Sequence, residues 1–321
     1  MDSHWKLHDP LFTKILIAEV IATYGRHLLL RDAAGERRMA RPMGRHLEIV
    51  CGDRVQCRSE GDELLAESIL PRKSFLRRST LRGRSEPLGA NLTQLAVIVA
   101  PVPQPDLFLI DRYLCAAASA PMHAVIVLNK CELPAAAKIG QELAQYSSLG
   151  YEVLQVSAMA TGDAQSGLAA LRNALRDQTT IMVGQSGVGK SSLTRLVTSD
   201  DSEIAIGGLM REEEGRHTTT ASRLYDCDSG GRIIDSPGVR DFAPAIDDLE
   251  RGSLGFREVA QLAPQCRFQD CSHMQEPHCA VRAAVEAGGV HKRRYESYRR
   301  LRRLFDDLWA KRPERERAAR R

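Results

Sequence analysis

A glycine-rich loop between a predicted strand and a predicted helix constrains the fold of this chain more than any other feature. Residues 184–191, Gly-Gln-Ser-Gly-Val-Gly-Lys-Ser, match the pattern G-x-x-x-x-G-K-[ST]. An apolar strand is predicted over 180–183 and a helix over 189–198, so the motif has the context that it requires. Its glycines allow the backbone to wrap around a phosphate and to point N–H groups at it from a helix N-terminus. The loop therefore predicts a phosphate-binding α/β domain.

This loop and a second motif downstream of it have distinct expected roles. Lys190 should reach the β- and γ-phosphates of a nucleotide, and Ser191 should ligate Mg²⁺. The sequence Asp-Ser-Pro-Gly at 235–238 has the form D-x-x-G, in which Asp235 would hold Mg²⁺ and the Gly238 N–H would sense the γ-phosphate. Alone it is a common turn sequence, but its position after a phosphate loop favours the nucleotide role. The expected phosphate-binding residues are Gly184, Gln185, Ser186, Gly187, Val188, Gly189, Lys190, Ser191 and Ser192.

Two further elements indicate which base the nucleotide carries. Asn129-Lys130-Cys131-Glu132 follows a predicted strand over 124–128, where an N-K-x-D motif is expected. The acidic side chain of that motif accepts hydrogen bonds from guanine N1–H and its 2-amino group, which adenine cannot supply. Ser157-Ala158 follows the next strand and matches the S-A-x element, whose backbone N–H donates to guanine O6. Glu132 replaces the usual Asp and shifts the acceptor by one methylene, which leaves the degree of selectivity open. Residues 129–132 could alternatively be a plain helix N-terminal cap.

The order of these motifs is unusual. The base elements at 129–132 and 157–158 precede the phosphate loop and the D-x-x-G, whereas ordinary GTPases have them in the opposite order. Each motif still lies at the carboxyl end of its own strand, so one crevice can assemble them all. The sequence therefore predicts a circularly permuted G domain, with its switch segments directly before the C-terminal region.

The segment between the phosphate-loop helix and Asp235 has the composition of a switch. Residues 207–220 are rich in glycine and charge, which indicates a mobile loop. One of Thr218, Thr219 or Thr220 is expected to close on Mg²⁺ and the γ-phosphate, and we take Thr219 as the candidate. The position of the water-orienting glutamine of Ras-type enzymes is Val239, which cannot orient water. We therefore assign catalytic roles to Lys190 and to His217, with a surface histidine of no role as the alternative. Hydrolysis without a partner should be slow.

Three of the eight cysteines lie within fourteen residues, together with a histidine. Cys266, Cys271, His273 and Cys279 offer three thiolates and one imidazole, the donor set of structural tetrahedral zinc. Four protein ligands would close the site, so we expect a structural metal. His278 is a competing ligand, and an iron–sulfur cluster is the alternative cofactor. Thiols in a chain with no recognisable export signal indicate a reducing, cytoplasmic setting.

The N-terminal part has a different pattern from the α/β region. Several short strands between 13 and 70, separated by turn signals, indicate a small β-barrel of OB type, with another small barrel of no known ligand as the alternative. The residues that follow are rich in Arg, Ser and Gly and are predicted to form a basic linker. From 95 onward strands and helices alternate, which predicts a mainly parallel sheet covered on both faces.

Taken together, the motifs at 129–132, 184–191, 215–220 and 235–240 and the Cys/His cluster resemble the ribosome-small-subunit-dependent GTPase family, known as RsgA or YjeQ, over essentially the whole chain. The resemblance implies an OB-type barrel (1–72), a basic linker (73–94), a circularly permuted P-loop GTPase domain (95–245) and a zinc-binding helical domain (246–321). It also implies a monomer in the cytoplasm, without a membrane, that binds GTP and GDP, the 30S ribosomal subunit and its 16S rRNA. Its expected activity is GTP hydrolysis to GDP and phosphate, stimulated by that subunit during late maturation.

The basic C-terminal tail agrees with this resemblance. Residues 291–321 contain thirteen Lys or Arg and five acidic residues, a local charge of +8 in a chain of net charge +4. On a predicted helix over 291–312 the apolar residues form a packing stripe, and the cations are candidates for rRNA phosphate contacts. The stripe is Tyr298, Leu301, Phe305, Leu308 and Trp309; the cations are Lys292, Arg293, Arg299, Arg300, Arg302 and Arg303.

Two other functions stay open at this point. One is a permuted GTPase that serves another RNA or protein complex, and the other is a nucleotide-gated binding module with negligible turnover. Co-sedimentation with purified subunits separates the first from the main hypothesis, and single-turnover hydrolysis separates the second.

Overall fold

The computed structural model describes residues 15–44, 46–61, 63–79, 85–159, 165–198, 222–235, 245 and 248–311. Across these ranges, no helix combines the length and the apolar character that a membrane span needs. Thirteen strands and seven α-helices lie in the described ranges. Most of the strands belong to one continuous sheet that runs from the α/β region into the N-terminal barrel.

Five strands form the N-terminal barrel: β1 (Leu16–Tyr24), β2 (His27–Asp32), β3 (Arg37–Pro42), β4 (Arg54–Glu60) and β5 (Glu63–Ile69). They follow the order β1-β2-β3-β5-β4, and β4 also pairs with β1, which closes the barrel. Alternate residues such as Val20, Leu30 and Val55 point inward and are buried. The predicted OB-type barrel is confirmed. Strand β3 was not predicted, because Ala40 is its one buried residue and its three arginines hide any apolar alternation.

A β-hairpin lies in the segment that the sequence indicates as a basic linker. Strands β6 (Phe75–Ser79) and β7 (Ser85–Ala90) pair with each other, separately from the main sheet. Leu76 and Leu88 are buried and pack in the same core as the α/β domain. The segment therefore has a packed face of its own, which its many arginines conceal in the sequence.

The α/β domain contains six strands: β8 (Gln94–Val99), β9 (His123–Leu128), β10 (Glu152–Gln155), β11 (Thr179–Val183), β12 (Ser222–Cys227) and β13 (Gly231–Asp235). Their order is β10-β9-β8-β11-β13-β12, and each pairing is parallel except that of β12 with β13. Strand β12 was not predicted, since Leu224 and Cys227 are its only buried residues. The mainly parallel sheet is confirmed.

Helices cover both faces of this sheet. They are α1 (Leu107–Ser119), α2 (Ala136–Ser147), α3 (Gln165–Leu175) and α4 (Lys190–Val197). Strand β8 contributes Leu95 and Val97 to the core beneath α1 and α2, and Ala96 and Ile98 to the core beneath α3 and α4. Such alternation follows from the two-residue period of a strand that is buried on both faces.

The C-terminal module is helical and packs against α1. It contains α5 (Arg257–Leu262), a 3₁₀ turn (Ala263–Gln265), α6 (Ala280–Glu286) and α7 (Lys292–Ala310). Tyr298, Leu301 and Phe305 of α7 are buried in its core, which confirms the predicted packing stripe. Cys115 of α1 belongs to the same core, so the module and the α/β domain share one packed interface.

Candidate nucleotide site and metal centre

The carboxyl ends of the parallel strands bring the predicted motifs to one edge of the sheet. Strands β10, β9, β8, β11 and β13 are neighbours in that order and run in the same direction. The base motif follows β9, Ser157 follows β10, the phosphate loop follows β11 and Asp235 ends β13. The permuted connections therefore still assemble a single crevice.

Two glycines of the phosphate loop occupy positions that no side chain could share. Gly184 has φ +145°, and a Cβ there would lie 2.2 Å from the carbonyl oxygen of Ile98. Gly189 has φ +96°, and a Cβ there would lie 2.3 Å from Asn129 Nδ2. Both positive φ values and both close approaches require glycine. The loop spacing thus reflects backbone contact with β8 and with the base motif.

Lys190 begins helix α4 directly after the loop. Its Nζ donates to the carbonyl oxygens of Gly184 at 2.7 Å and Gln185 at 2.9 Å, so the ammonium group lies across the loop. The helix dipole and the N–H groups of the first turn of α4 favour an anion at the same end. A phosphate in the loop would meet a cation and a helix N-terminus together.

Asn129 joins the base motif to two other elements. Its Nδ2 donates to the Val188 carbonyl oxygen at 2.8 Å, and its Oδ1 accepts from the Ala158 N–H at 3.3 Å. The side chain is buried, with 1% of the residue's surface exposed. Helix α2 begins at Ala136, so the alternative that residues 129–132 form a simple helix cap is wrong.

The other residues of the base motif, Lys130, Cys131 and Glu132, follow β9 directly. Lys130 has φ +59°, and its Nζ donates to the carbonyl oxygens of Val102 at 2.8 Å and Gly187 at 2.7 Å. The Cys131 N–H donates to the Val156 carbonyl at 3.3 Å, which ties the motif to the end of β10. Glu132 is exposed, so its carboxylate can meet a ligand.

Asp235 and Ser191 lie on the phosphate side of the crevice. Burial raises the pKa of the Asp235 carboxyl, and the positive charge of Lys190 offsets part of that effect. Ser191 is exposed in the first turn of α4. A hydroxyl and a carboxylate of this kind are ordinary Mg²⁺ ligands. Three residues that the sequence assigns to this site, His217, Thr219 and Gly238, lie outside the described residues, as does Val239 at the usual glutamine position.

The cysteine cluster forms a compact set of metal donors. One donor atom from each of Cys266, Cys271, His273 and Cys279 lies within 4.8 Å of the others. His273 Nδ1 is 3.5 Å from the sulfurs of Cys266 and Cys279, and those sulfurs are 3.9 Å apart. A tetrahedral zinc would place sulfurs ~3.8 Å apart and nitrogen ~3.6 Å from sulfur. The donors therefore fit such an ion, and the exposed His278 lies outside the cluster.

The imidazole of the cluster is in the form that a metal needs, whereas its thiols would have to lose their protons on binding. Burial lowers the pKa of His273, which keeps the imidazole neutral, as a ligand must be. Burial, together with the neighbouring thiols, raises the pKa of the Cys271 thiol to about 12. A buried cation is the group that would favour the thiolate form.

Hydrogen bonds hold the loop that carries the middle two donors. Glu276 accepts from the N–H groups of Ser272 at 2.7 Å and Met274 at 2.9 Å, and bonds of this kind lower its pKa to about 2 against the opposing effect of burial. The hydroxyls of Tyr295 and Tyr298 each donate at 2.7 Å to carbonyl oxygens of this loop. The metal loop is thus attached directly to α7.

Part of the basic tail faces the protein and not the solvent. Arg293 donates to Asp111 at 2.6 Å, and Arg302 is buried against the Arg251 carbonyl and Asp306. These contacts inside the protein argue against the predicted rRNA-phosphate role of the two arginines. Arg293 pairs with the buried carboxylate of Asp111, and Arg302 is held by contacts inside the C-terminal module. Lys292, Arg300 and Arg303 are exposed as expected, and Arg299 is half-buried beside Glu296.

Sequence reasoning missed a buried ionic network between α7 and the α/β domain. Arg294 donates to Asp111 at 2.6 Å and to both carboxylate oxygens of Glu258, at 2.7 and 2.8 Å. Tyr146 of α2 also donates to Asp111, at 2.7 Å. Asp111 has no exposed surface. The position of Asp111 inside the mainly apolar sequence Leu-Phe-Leu-Ile-Asp-Arg-Tyr-Leu was the available signal.

A permuted parallel sheet with this crevice, an N-terminal barrel and a C-terminal Cys/His module defines a circularly permuted P-loop GTPase. Residues 69–244, more than half of the chain, match the RsgA GTPase family. The chain belongs to the RsgA GTPase family and is a GTP hydrolase.

Individual relatives agree with this assignment. The Small ribosomal subunit biogenesis GTPase RsgA of Saccharophagus degradans is 38% identical over 303 residues, which cover 90% of this chain and 87% of the relative. The crystal structure of YjeQ from Thermotoga maritima is 28% identical with a TM-score of 0.66, and the match covers 93% of this chain and 100% of that one. The circularly permuted GTPase YloQ has the same fold, at 24% identity and a TM-score of 0.64, over 98% of this chain and 100% of its own.

Proposed function

We propose that this GTPase acts on the small (30S) ribosomal subunit, assists a late step of its maturation and hydrolyses GTP faster when bound to it. The observation that carries the nucleotide part is the position of Asn129, whose side chain bonds to both Val188 and Ala158. It connects the base motif after β9 to the S-A element after β10 and to the phosphate loop after β11. The named role of the Saccharophagus relative in small-subunit biogenesis supports the choice of partner.

The residues of the crevice have separate proposed roles toward GTP. Glu132 accepts from guanine, Ala158 offers its N–H to guanine O6, and Lys190 binds the β- and γ-phosphates. Ser191, Thr219 and Asp235 hold Mg²⁺, which would neutralise charge that develops on the phosphates. The half-buried position of Asp235, within the electrostatic influence of Lys190, supports its part in this set.

Orientation of the attacking water is assigned to His217. The support is the sequence alone: His217 precedes the threonines of the switch segment, and Val239 occupies the usual glutamine position. We propose that the subunit fixes the geometry of this segment, so the rate rises without a new chemical group.

The remaining proposals concern the metal and the setting. We assign one structural Zn²⁺ to the four donors, since their spacing fits a tetrahedral ion. Thiolate ligands need reduced cysteines, which supports a cytoplasmic protein. Exposed Lys292, Arg300 and Arg303 on α7 support contact with phosphates of 16S rRNA. We expect a monomer.

Single-turnover GTP hydrolysis, with and without purified 30S subunits, tests the proposal. Wild-type protein should co-sediment with the subunits and turn over faster in their presence. Lys190→Ala should abolish hydrolysis, whereas Lys138→Ala, which removes an exposed lysine on α2, should match wild type. Binding to subunits without any turnover would indicate a nucleotide-gated binding module. Stimulation by a different particle, with none by 30S, would exclude the proposed partner.

A further inference from the structure

Met159 is the most exposed large hydrophobic residue in the part of the chain that the structure describes. It is 80% exposed, whereas Ile15 and Val102, which follow it, are each 61% exposed. A single exposed apolar residue is ordinary on a protein surface, so its position decides what it can contact. Met159 lies in the proposed nucleotide crevice, just beyond the carboxyl end of β10.

Hydrogen bonds hold the backbone around Met159 next to the base motif. Its N–H donates to the Ser157 hydroxyl at 3.2 Å, and the preceding N–H, that of Ala158, donates to Asn129 Oδ1 at 3.3 Å. The Ala158 N–H is the group that we assign to guanine O6. The Cα atoms of Ala158 and Met159 are ~3.8 Å apart, and a methionine side chain is long and unbranched. Met159 can therefore extend over a base whose edge meets Ala158.

Met159 supplies what the polar groups at this end of the crevice lack. Glu132 and the Ala158 N–H are assigned to the edge of the guanine, and hydrogen bonds to an edge leave the two flat faces of a base uncovered. A thioether is polarisable and packs favourably against an aromatic ring, and one such contact changes an affinity by about two- to tenfold. The face of the base is therefore the partner that suits this side chain.

The same exposure opens the sulfur of Met159 to oxidants. Hydrogen peroxide transfers one oxygen atom to a thioether: the O–O bond breaks, the sulfur loses two electrons and the second oxygen leaves as water. The product is a sulfoxide, a polar and chiral group in place of an apolar one. A sulfoxide oxygen against the face of a base meets no hydrogen-bond donor, so the contact becomes unfavourable. Met122 and Met182 are buried and therefore shielded from this reaction.

We propose that Met159 packs its thioether on a face of the bound guanine, and that peroxide oxidation of this sulfur to the sulfoxide weakens nucleotide binding. This inference rests on the proposed function. Because the contact is with the base, its loss should lower the affinities for GTP and GDP by the same factor. It should also act equally on GDP and on inosine diphosphate, since the 2-amino group that inosine lacks belongs to the edge of the base.

Cys131 is an oxidisable side chain of the base motif and has to be distinguished from Met159. It is half-buried, and burial together with the charge of Glu132 raises the pKa of its thiol. A raised pKa leaves less thiolate, which is the nucleophilic form that peroxide oxidises. A thiol reductant reverses sulfenic acids and disulfides, whereas a methionine sulfoxide needs its dedicated reductases. Reductant added after the peroxide therefore leaves the sulfoxide in place while it restores a reversibly oxidised Cys131.

The GDP affinity of the full-length protein, measured before and after treatment with peroxide and then thiol reductant, tests the proposal. In wild type the affinity should fall by about two- to tenfold as mass spectrometry shows the Met159 peptide gaining one oxygen. Methionine sulfoxide reductases should reverse both changes. In Met159→Leu, which keeps an apolar side chain without sulfur, the same treatment should change the affinity little. Met39→Leu, in the barrel, is the matched control and should respond to peroxide as wild type does.

Met159→Ala tests the contact without an oxidant. Its affinities for GDP and for inosine diphosphate should each fall by about two- to tenfold, with their ratio unchanged. Glu132→Ala should instead weaken GDP binding more than inosine diphosphate binding, because it removes the acceptor of the 2-amino group.

The possible outcomes separate this inference from the proposed function. An unchanged affinity in wild type whose Met159 is fully oxidised would overturn the inference alone. So would an equal loss in peroxide-treated Met159→Leu, because the damage would then lie at another residue. A Met159→Ala protein that binds both nucleotides as wild type does would exclude the contact with the base. Failure of the untreated wild type to bind guanine nucleotides would overturn the proposed function and the inference with it.

Discussion

Asn129 and Glu132, to which we assign base recognition, differ in burial: the first is buried and the second is exposed. Asn129 is fixed by bonds to Val188 and Ala158 and has no freedom to adjust. Glu132 is exposed at the end of the motif, and its longer side chain can change rotamer to reach a base. A carboxylate that must be ordered on binding contributes less to affinity than a fixed one. A substitution at Glu132 should therefore change the selectivity for guanine and leave the architecture of the site intact.

Glu132→Ala should reduce the preference for GTP over ATP while the phosphate loop continues to bind. We expect a loss of about 1–3 kcal/mol in guanine binding, since an acceptor for two guanine donors disappears. Competition binding of GTP against ATP measures it. Glu132→Asp is the matched variant and should keep the preference. An unchanged GTP-to-ATP ratio in Glu132→Ala would show that another residue reads the base.

At the residue scale, the sequence predicts contacts within a motif and misses ion pairs between residues that are far apart in the chain. The glycines at 184 and 189 were predictable because the phosphate-loop motif specifies them, and the structure shows that each closely approaches a neighbouring residue, Ile98 or Asn129. The ionic partners of Arg293 and Arg294 were not, because Asp111 lies more than 180 positions away and pairs of remote charges leave no periodic signal. A cationic helix face therefore looked like a surface for RNA although part of it is buried.

Helix α7 connects the C-terminal module to the α/β domain through its first turns. Arg293 and Arg294 converge on Asp111 of α1, and Glu258 of α5 neutralises the second arginine. Two cations and two carboxylates balance, so the cluster is neutral although it is largely buried. Removal of one charge from such a cluster leaves its partner buried and unpaired. The helix is thus held by electrostatics as well as by its apolar stripe.

Asp111→Asn should destabilise the protein by about 3–5 kcal/mol, because it leaves two arginines beside a neutral amide. Urea unfolding monitored by circular dichroism measures the change. Asp307→Asn is the matched control, since Asp307 is exposed on α7 and should alter the free energy of unfolding little. Equal effects of the two substitutions would mean that the Asp111 network adds nothing to stability.

A second contact between elements depends on one glycine. Gly255 has φ +84°, and a Cβ there would lie 2.9 Å from the Cα and the carbonyl oxygen of Cys115 in α1. Gly255→Ala should lower stability by about 2 kcal/mol or more, from backbone strain together with this clash. Gly288→Ala is the control, with φ +80° but no atom within 4 Å, and should show the strain alone. Thermal unfolding of both variants separates the two effects, and equal losses would exclude a close approach to α1.

Over the whole molecule, the α/β domain carries two attachments of different chemistry. The barrel is attached through the β1–β12 strand pair, partly exposed charges and a shared apolar core, and the C-terminal module through a buried ionic network and a shared core. The sequence predicts the barrel from its strand pattern, the α/β domain from the order of its motifs and the C-terminal module from its cysteine spacing, because each of these patterns lies within one segment of the chain. It does not predict the attachments, since β12 carries a weak strand signal and the network joins distant segments.

The metal centre should influence the α/β domain through α7. Tyr295 and Tyr298 donate to carbonyls of the loop between Cys271 and Met274, and the same helix carries the two arginines that reach Asp111. Without a metal that loop would be free to move, because no shared cation would then hold the thiols of the cluster together. The first turns of α7 would then lose a packing partner, and the arginine contacts with α1 would weaken.

Cys271→Ser should lower the zinc content well below the expected one ion per chain and loosen α7, as measured by elemental analysis and by amide exchange of α7. Affinity for GTP should change less than about twofold, since no ligand of the metal lies in the nucleotide crevice. Turnover stimulated by 30S subunits should fall, because a loosened α7 presents its exposed cations poorly to RNA. Cys131→Ser, in the α/β domain, should retain its full zinc content. Normal exchange of α7 in zinc-free protein would mean that α7 is held by the Asp111 network and the apolar core alone.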